Sequence, residues 1–595
     1  MTSWIAGITR GHNSSVCLLK DGEVVFSLEE ERLSRHKYDG GPFACMIKIL
    51  DYTDKLDYLV IAHTQSLKDT AGRVDFTGDD VYTGIARKLG LIDQKLDIHN
   101  HPQVIDLSYK HHTLHAACAF YRSGWDDAVA LVVDGAGTFV PMTIEGIEAM
   151  TWETESILDC SYPANFKTLY KHYGAREVIS TMFTEAPSDF IGEPGSTHLA
   201  IFTDRAGITK TYEAVTQYCG WQPIEAGKTM GLFPYGKENP SIPKLFDTDS
   251  MEPLSNRNLI LPTYPNGAKV NYGAYASLRN LPEEGSDPTL MQNRRDLAYA
   301  VQTQTQEQVL TLIYKAVNLT GKKRVVISGG YGLNCVANYY YLDKLRNDGI
   351  EIYVEPISND SGTAIGAALL VWYEQSQSIA AGTHNTLYLG PKHTYSLDDV
   401  NAVTLKAGVE ISDATYNDIV NLLINKNIVT LYQGSSENGP RALGNRSVLF
   451  DPRFVDGKDF VNGVKHREYF RPFAGSILQE HVHEWFDLRG MNDSPFMMYA
   501  VNCQPGIAEK IPSIIHVDGT CRIQTVTEEQ NFHYYNLIKE FYNQTGCPII
   551  FNTSFNLGGE PLVETLEDAI WTLQNSDIEY LYLPEFNKLI TVRNV

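Results

Sequence analysis

Residues 128–138, AVALVVDGAGT, run apolar from Ala128 to Val133 and then break into Asp134-Gly135-Ala136-Gly137-Thr138. A short apolar run ended by glycines reads as a buried strand that delivers a turn at its C-terminal end. The pattern recurs. Residues 324–330, RVVISGG, lead from a strand into a glycine pair and continue as YGLNCVAN. Residues 350–370, IEIYVEPISNDSGTAIGAALL, lead from a strand through Asp360 into a Gly/Ala-rich helix. Upstream, in WIAGITRGHNSSVCLLKDGEVVFSLEEER, two alternating apolar runs flank Asp21-Gly22, a dipeptide that favours the primed turn of a β-hairpin.

Hairpin, strand-DGxGT and strand-GG-helix, in that order, outline the actin-like and sugar-kinase superfamily. There, glycine turns at strand ends present backbone N–H groups to nucleotide phosphates. Residues 375–385, QSQSIAAGTHN, are small, polar and unpatterned, and a domain boundary is placed there. Beyond it NIVTLYQG, AGSIL, CPIIFNTSFN, IEYLYL and LITV alternate with helical stretches, which gives a second α/β domain. LYLGP, from Leu387, is taken as that domain's first strand.

The bulk numbers agree. A chain of 595 residues suggests roughly two to four domains. Its 43% hydrophobic and 20% charged residues can bury sizeable cores. A net charge of -23 argues against broad nucleic-acid binding, which needs phosphate neutralisation. Nine scattered cysteines without a CxxC pair fit reduced thiols and a cytoplasmic setting. No run reaches the ~18 apolar residues of a membrane span.

Against that acidic background, residues 434–476 stand out: GSSENGPRALGNRSVLFDPRFVDGKDFVNGVKHREYFRPFAGS. Seven basic residues (Arg441, Arg446, Arg453, Lys458, Lys465, Arg467 and Arg471) outnumber the acidic ones, and Gly439, Pro440, Pro452 and Pro472 fix the backbone between them. Guanidinium forks and a lysine point charge suit phosphate and carboxylate oxygens, so the stretch reads as an anion pocket. Arg522, on a strand-like run, and Asn552, Ser554 and Asn556, after another, could join it.

His111 and His115 lie in an Ala-rich helical stretch that stops at Gly124. Spacing of i,i+4 puts both imidazoles on one face, while His112, about 100° round the helix, points elsewhere. Two imidazoles with the carboxylates of Asp134 and Asp360 suit a borderline divalent ion. His12, in the hairpin, is a candidate general base. EAGKTMGLFPYG, with Lys228, lacks P-loop spacing and reads as a loop; the run Glu29-Glu30-Glu31 reads as a solvated face.

Taken together, GPRALGNRS, DPR, KHREYFRPFA, NTSFN with GEP, GGYGLNCVAN, NDSGTAIGAAL, EAGKTMGLFPYG and the HxxxH helix resemble the O-carbamoyltransferases. That group contains the nodulation-factor, cephalosporin, tobramycin and saxitoxin-pathway enzymes. The resemblance runs from the hairpin to about Glu564. It implies an actin-like, threonylcarbamoyl-transferase-like domain with a metal site over residues 1–380, and a YrdC-like, carbamoyl-adenylate-forming domain over residues 386–595. It also implies a cytoplasmic enzyme using ATP, carbamoyl phosphate, Fe(II) or a similar divalent ion, and Mg2+ with ATP. In the C-terminal domain carbamoyl phosphate and ATP yield carbamoyl-adenylate and pyrophosphate. In the N-terminal domain the carbamoyl group passes to an acceptor hydroxyl and AMP leaves.

Carried over by motif, His12 and Lys37 are catalytic, and His111, His115, Asp134 and Asp360 hold the metal. Gly135, Gly137, Thr138, Lys228, Gly329, Gly330 and Asn334 line the N-terminal nucleotide site. Arg441, Lys465, Arg471, Arg522, Asn552 and Ser554 bind ATP and carbamoyl phosphate. The family often has HD where this chain has His12-Asn13, which puts an aspartate role there in doubt. A tRNA threonylcarbamoyl-type transferase and a catalytically silent nucleotide sensor are the competing readings. The acceptor is a hydroxylated small molecule or a hydroxymethyl nucleobase such as 5-hydroxymethylcytosine in DNA. No membrane partner is implied, and the oligomeric state is left open. Residues 245–293, with Arg279, Arg294 and Arg295 near their end, read as an insert that shapes the acceptor surface. Exchanging this insert between two relatives is expected to exchange acceptor choice; unchanged products on an acceptor panel would refute that.

Overall fold

The computed structural model describes residues 2–64, 83–94, 101–247, 250–263, 266–275, 278, 288–382 and 385–593. These divide into two compact units: Met1–Val25 with Gly40–Asn385, and Phe26–Asp39 with Thr386–Val595. Placing residues 26–39 with the second unit differs from the sequence reading, which assigned them to the first. Both units are mixed α/β.

The first unit opens with β1 (Trp4–Thr9), β2 (Ser15–Lys20) and β3 (Glu23–Glu29), followed by β4 (Tyr58–Ile61) and β5 (Val104–Asp106). Asp21 and Gly22 both have positive φ (52° and 89°), the backbone a primed two-residue turn demands. The sheet order is β3-β2-β1-β4-β5, with β1 antiparallel to β2 and parallel to β4.

A second sheet repeats this plan. Its strands are β6 (Asp127–Val133), β7 (Phe139–Ile144), β8 (Ile147–Ser161), β9 (Asn165–Ala175), β10 (Met182–Pro187) and β11 (Thr197–Thr203). After the small ribbon β12 (Ile260–Thr263) and β13 (Gly267–Val270) come β14 (Arg324–Ser328) and β15 (Glu351–Val354). The order β10-β11-β9-β8-β6-β14-β15 contains β9-β8-β6-β14-β15, again an antiparallel trio with two parallel strands beside its first member.

Helices His111–Ser123 and Ser361–Ser376 pack on these sheets, and a glycine sets their distance. A Cβ on Gly366 would lie 2.0 Å from the Leu114 carbonyl oxygen, so no side chain fits and the two helices touch backbone to backbone. A Cβ on Gly362 would lie 2.1 Å from the Ile357 carbonyl oxygen, which keeps the turn before the second helix tight. At the far end of the histidine helix, Arg122 and Glu355 form a fully buried pair, with Nε 3.1 Å from Oε1. Glu355 also accepts from the Ile357 amide at 2.9 Å, which ties that helix to the turn leading into Asp360.

The second unit is built on one sheet of ten strands. They are β16 (Glu410–Asp413), β17 (Val429–Tyr432), β18 (Arg446–Phe450), β19 (Ala474–Leu478) and β20 (Phe486–Asp487), then β21 (Ala500–Cys503), β22 (Thr520–Val526), β23 (Ile549–Ser554), β24 (Tyr580–Leu583) and β25 (Lys588–Thr591). The order is β16-β25-β24-β17-β18-β23-β19-β22-β21-β20. Ala474 pairs with both Arg522 and Asn552, so three neighbouring strands bring those residues to one level.

Three local expectations change. Residues 387–390 form no strand, although the Leu389 carbonyl accepts from Ser27 N. EAGKTMGL is largely a short helix, Ala226–Leu232, because its apolar face packs against a longer helix, Pro288–Thr320. Glu29, Glu30 and Glu31 are at most 5% exposed rather than solvated, and Glu31 is held by Lys37 at 2.6 Å. Of the insert's arginines, Arg279 lies outside the described residues. Arg294 is buried, donating to the Cys219 carbonyl and resting over Trp221 at 5.5 Å.

Replacing Glu355 by alanine leaves the Arg122 charge buried and uncompensated. It is expected to destabilise the chain by about 3–5 kcal/mol, read by chemical denaturation. A loss below 1 kcal/mol would mean the pair does not hold this junction.

Candidate functional site

In the first unit, β6 ends just before Asp134 and the helix Ser361–Ser376 begins just after Asp360, while His111 and His115 stand one turn apart on their helix. One ligand atom from each of these four residues lies within 4.8 Å of the others. His111 Nε2 is 3.8 Å from Asp134 Oδ2 and 3.7 Å from Asp360 Oδ1; His115 Nε2 is 3.6 Å from Asp360 Oδ1. These separations exceed hydrogen bonds. They are slightly wider than the roughly 3–3.5 Å between donors that share one ion through bonds of about 2.0–2.2 Å.

Both Nε2 atoms are buried without a hydrogen-bond partner, a costly state that a shared cation would relieve. The outer contacts fit as well. His115 Nδ1 meets Ser328 Oγ at 3.3 Å, and Asp134 Oδ1 accepts from Gly330 N at 3.0 Å. Such contacts fix imidazole tautomer and carboxylate orientation. Burial pulls the His111 imidazole down, but Asp134 and Asp360 override it and lift it to about 10. Burial works against the charged form of both carboxylates, yet the imidazoles hold them ionised, Asp360 well below the usual range. The four residues therefore form a charge-matched set able to hold a divalent ion.

His112 turns away, as helix geometry requires. Its Nδ1 meets Ser156 Oγ at 2.7 Å, and burial pushes the ring down to about 3. His12 sits in the exposed turn between β1 and β2, near enough to Asp360 to act on it electrostatically. The DGAGT turn is largely occupied with structure. Thr138 Oγ1 accepts from His111 N at 3.1 Å and donates to the Ser108 carbonyl at 2.9 Å. A Cβ on Gly137 would strike Glu153 and His112, whereas Gly135 is less crowded. Gly329 has φ 88° against the Val133 backbone. Asn334 caps its helix by accepting from Ala337 N at 3.1 Å, and Lys228 pairs with Glu225 at 2.8 Å.

In the second unit, strand ends and one helix end bring cations together. Lys465 follows the helix Gly457–Val464 and is 2% exposed. Its ammonium donates to the Ser554 carbonyl and, at 3.2 Å, to Asn556 Oδ1. Burial, then the charges of Arg467 and Arg471, drive it well below the usual lysine range. Arg467 is depressed by burial and by Arg471, Arg522 and Arg441, with Glu468 acting the other way. Its guanidinium lies 5.0 Å over Phe473. Arg441, Arg467, Arg471, Arg522 and Lys465 are thus close enough to act electrostatically, with Glu468 as a counter-charge. A multivalent anion is the natural complement of such a group.

Sequence reasoning omitted Arg467 from this set, although it stands in the quoted stretch two residues from Lys465. Two other arginines there serve structure. Arg446 is fully buried, donates to the carbonyls of Gln433, Gly434 and Glu564, and stacks on Tyr432 at 3.8 Å. Arg453 forks onto Asp451. Asn552 is fully buried, with its amide nitrogen committed to Ala442 O and Ser476 Oγ. Ser554 Oγ donates to Asn556 Oδ1 at 2.6 Å. Lys37, exposed but paired with buried Glu31, belongs to this unit and not to the hairpin's.

With the geometry established, comparison with known proteins is direct. A family model for the carbamoyltransferase N-terminus matches residues 64–369, and one for the carbamoyltransferase C-terminus matches residues 420–588. The chain belongs to the carbamoyltransferase family and is, by that membership, a transferase. An uncharacterized Synechocystis protein is 29% identical over 97% of this chain and 94% of its own. Nodulation protein NolO of Bradyrhizobium diazoefficiens is 30% identical over 80% of this chain and 78% of its own. Nodulation protein NolNO of Sinorhizobium fredii is 28% identical over 97% and 78%. Among solved structures, full-length HypF in a phosphate- and nucleotide-bound form aligns with 64% of this chain and 56% of its own, at 14% identity and a TM-score of 0.35.

Ser328→Ala removes the hydroxyl that orients His115. It is expected to weaken divalent-metal affinity about 10–100-fold, measured by competition with a fluorescent chelator. Unaltered affinity would show that the Ser328 contact does not orient His115 toward a metal.

Proposed function

We propose that this chain is an ATP-dependent O-carbamoyltransferase whose two half-reactions occupy its two units. The observation that carries this reading is the pairing, in one carbamoyltransferase chain, of a His–His–Asp–Asp cluster with a separate cation cluster. The twice-used strand order of the first unit supports an actin-like duplication, and the ten-stranded unit is read as YrdC-like.

In the second unit, Arg441, Lys465, Arg467, Arg471 and Arg522 grip the phosphates of carbamoyl phosphate and ATP. Carbamoyl phosphate gives up inorganic phosphate to water, leaving carbamate. A carbamate oxygen then attacks the α-phosphorus of ATP, and pyrophosphate departs with the electrons of the broken P–O bond. Mg2+ accompanies the ATP. A carbamoyl carbon is a poor electrophile because its nitrogen donates into it; joining it to AMP supplies a good leaving group.

In the first unit, the acceptor oxygen bonds to the carbamoyl carbon, the bond to AMP breaks, and His12 takes the hydroxyl proton. General-base help of this kind contributes about 10²–10⁴ in rate. Fe(II) or a similar ion on His111, His115, Asp134 and Asp360 would polarise the carbamoyl oxygen and stabilise its developing charge. Gly135, Gly329 and Lys228 are read as nucleotide contacts of the first unit, and Lys37 as one on the second. The acceptor is a hydroxyl-bearing small molecule or a hydroxymethyl nucleobase.

Arg441→Ala is expected to abolish carbamoyl-adenylate formation, at a cost of about 2–5 kcal/mol in phosphate binding. It should spare transfer from supplied carbamoyl-adenylate. His111→Ala should do the reverse. Pyrophosphate release reads the first step, and mass spectrometry of the carbamoylated acceptor reads the second. Loss of both steps in either variant would refute the division of labour.

A further inference from the structure

Residues 26–39 read FSLEEERLSRHKYD, a highly charged stretch that is nonetheless largely buried within the second unit. Two arginines three residues apart on and just after its short helix, Glu30–Ser34, explain why it sits there. Arg32 is 3% exposed; its Nη1 donates to the Glu437 carbonyl at 3.1 Å and its Nη2 to the Gly439 carbonyl at 2.8 Å. Between those carbonyls, Asn438 Nδ2 donates to Ser27 Oγ at 2.8 Å. Arg35 Nη1 donates to the Leu562 carbonyl at 2.6 Å, its Nη2 to the Pro561 carbonyl at 3.2 Å, and its Nε lies 3.6 Å from Asp568 Oδ1.

The two loops so gripped are those that shape the cation cluster. The first carries Arg441 and is closed internally by Glu437 Oε1, which accepts from Leu443 N at 2.7 Å and Asn445 N at 2.9 Å. The second begins at Ser554 and Asn556, the seat of Lys465, and is closed by Asn556 Nδ2 donating to the Glu560 carbonyl at 2.6 Å. Each loop is therefore a stiff unit, and one short helix fixes the distance between them. A planar guanidinium suits this task because its rigid fork meets two carbonyls at once, which an ammonium cannot. Neither side chain needs to touch the anion.

We infer that Arg32 and Arg35 are positioning residues for the anion site, holding the Arg441 loop and the Lys465 seat at the separation that a polyphosphate requires. This rests on reading the cation cluster as a phosphate site, and it adds a role for a segment drawn from the far end of the chain.

The test uses the full chain and inorganic pyrophosphate, titrated by calorimetry against wild type, Arg35→Ala, Arg35→Lys, Arg32→Lys and Arg471→Ala. Arg35→Ala is expected to bind about tenfold more weakly or worse, equivalent to about 1.4 kcal/mol. Arg35→Lys should recover part of the loss. In turnover assays the same variant should raise KM for ATP in adenylate formation while leaving transfer from supplied carbamoyl-adenylate unchanged. A folded Arg35→Ala chain with affinity within twofold of wild type would overturn the inference, even if its melting point had fallen. If Arg32→Lys fails to fold, the Arg35 pair decides alone. If wild type binds no pyrophosphate, or Arg471→Ala binds it as wild type does, the phosphate-site reading falls and this inference falls with it.

Discussion

The carbonyl oxygen of Leu114 lies against the bare α-carbon of Gly366, and the geometry of the His–His–Asp–Asp cluster in the first unit depends on that contact. Any side chain at position 366 would force the two helices apart. Asp360 sits at the start of one helix and both imidazoles sit on the other, so the gap between helices is also the gap between ligands. The helix N-terminus adds a favourable field for the Asp360 carboxylate. At the other end of the histidine helix, the buried Arg122–Glu355 pair limits sliding, since any shift would leave a charge in the core without its partner. Two carboxylates and two imidazoles can then be kept close without collapsing into ordinary hydrogen bonds.

The second unit meets the opposite problem, because its cations have few counter-charges. The same basic stretch shows two outcomes for an arginine. Arg446 is satisfied by backbone carbonyls and an aromatic face, and Arg453 by a carboxylate fork, so neither has much left for a ligand. Lys465 donates to neutral oxygens and Arg467 lies over a ring with Glu468 nearby, and each suffers the charge of its cationic neighbours. Holding like charges together costs stability, and a multivalent anion is what would offset it.

Much of this was legible in the sequence because it is local. The i,i+4 histidines, the strand that ends just before Asp134 and the Asp21-Gly22 turn each follow from a periodicity or a dipeptide. What escaped was decided by distant partners. Glu29, Glu30 and Glu31 look solvated until they are seen packed within the second unit, far from it in sequence. The commitment of Asn552 to Ala442 and Ser476 needs a sheet register that joins residues far apart in the chain. Arg446 lies in β18, where backbone carbonyls satisfy it, and Arg467 in the irregular stretch after the helix Gly457–Val464; charge counting cannot see that difference. EAGKTMGL looked like a loop because its glycines disfavour helix on their own; packing against the helix Pro288–Thr320 outweighs the propensity.

The charge of the whole chain and that of the cluster act over different ranges. A net charge of -23 should repel nucleotides and phosphates at a distance. At physiological ionic strength, however, exposed charges are screened beyond roughly 8–10 Å, so an anion close to the cluster responds mainly to the nearest groups. Lys465 is nearly dry, and interactions with a buried charge are screened far less. Acidity elsewhere on the chain therefore discourages indiscriminate binding of polyanions while leaving the local cluster effective.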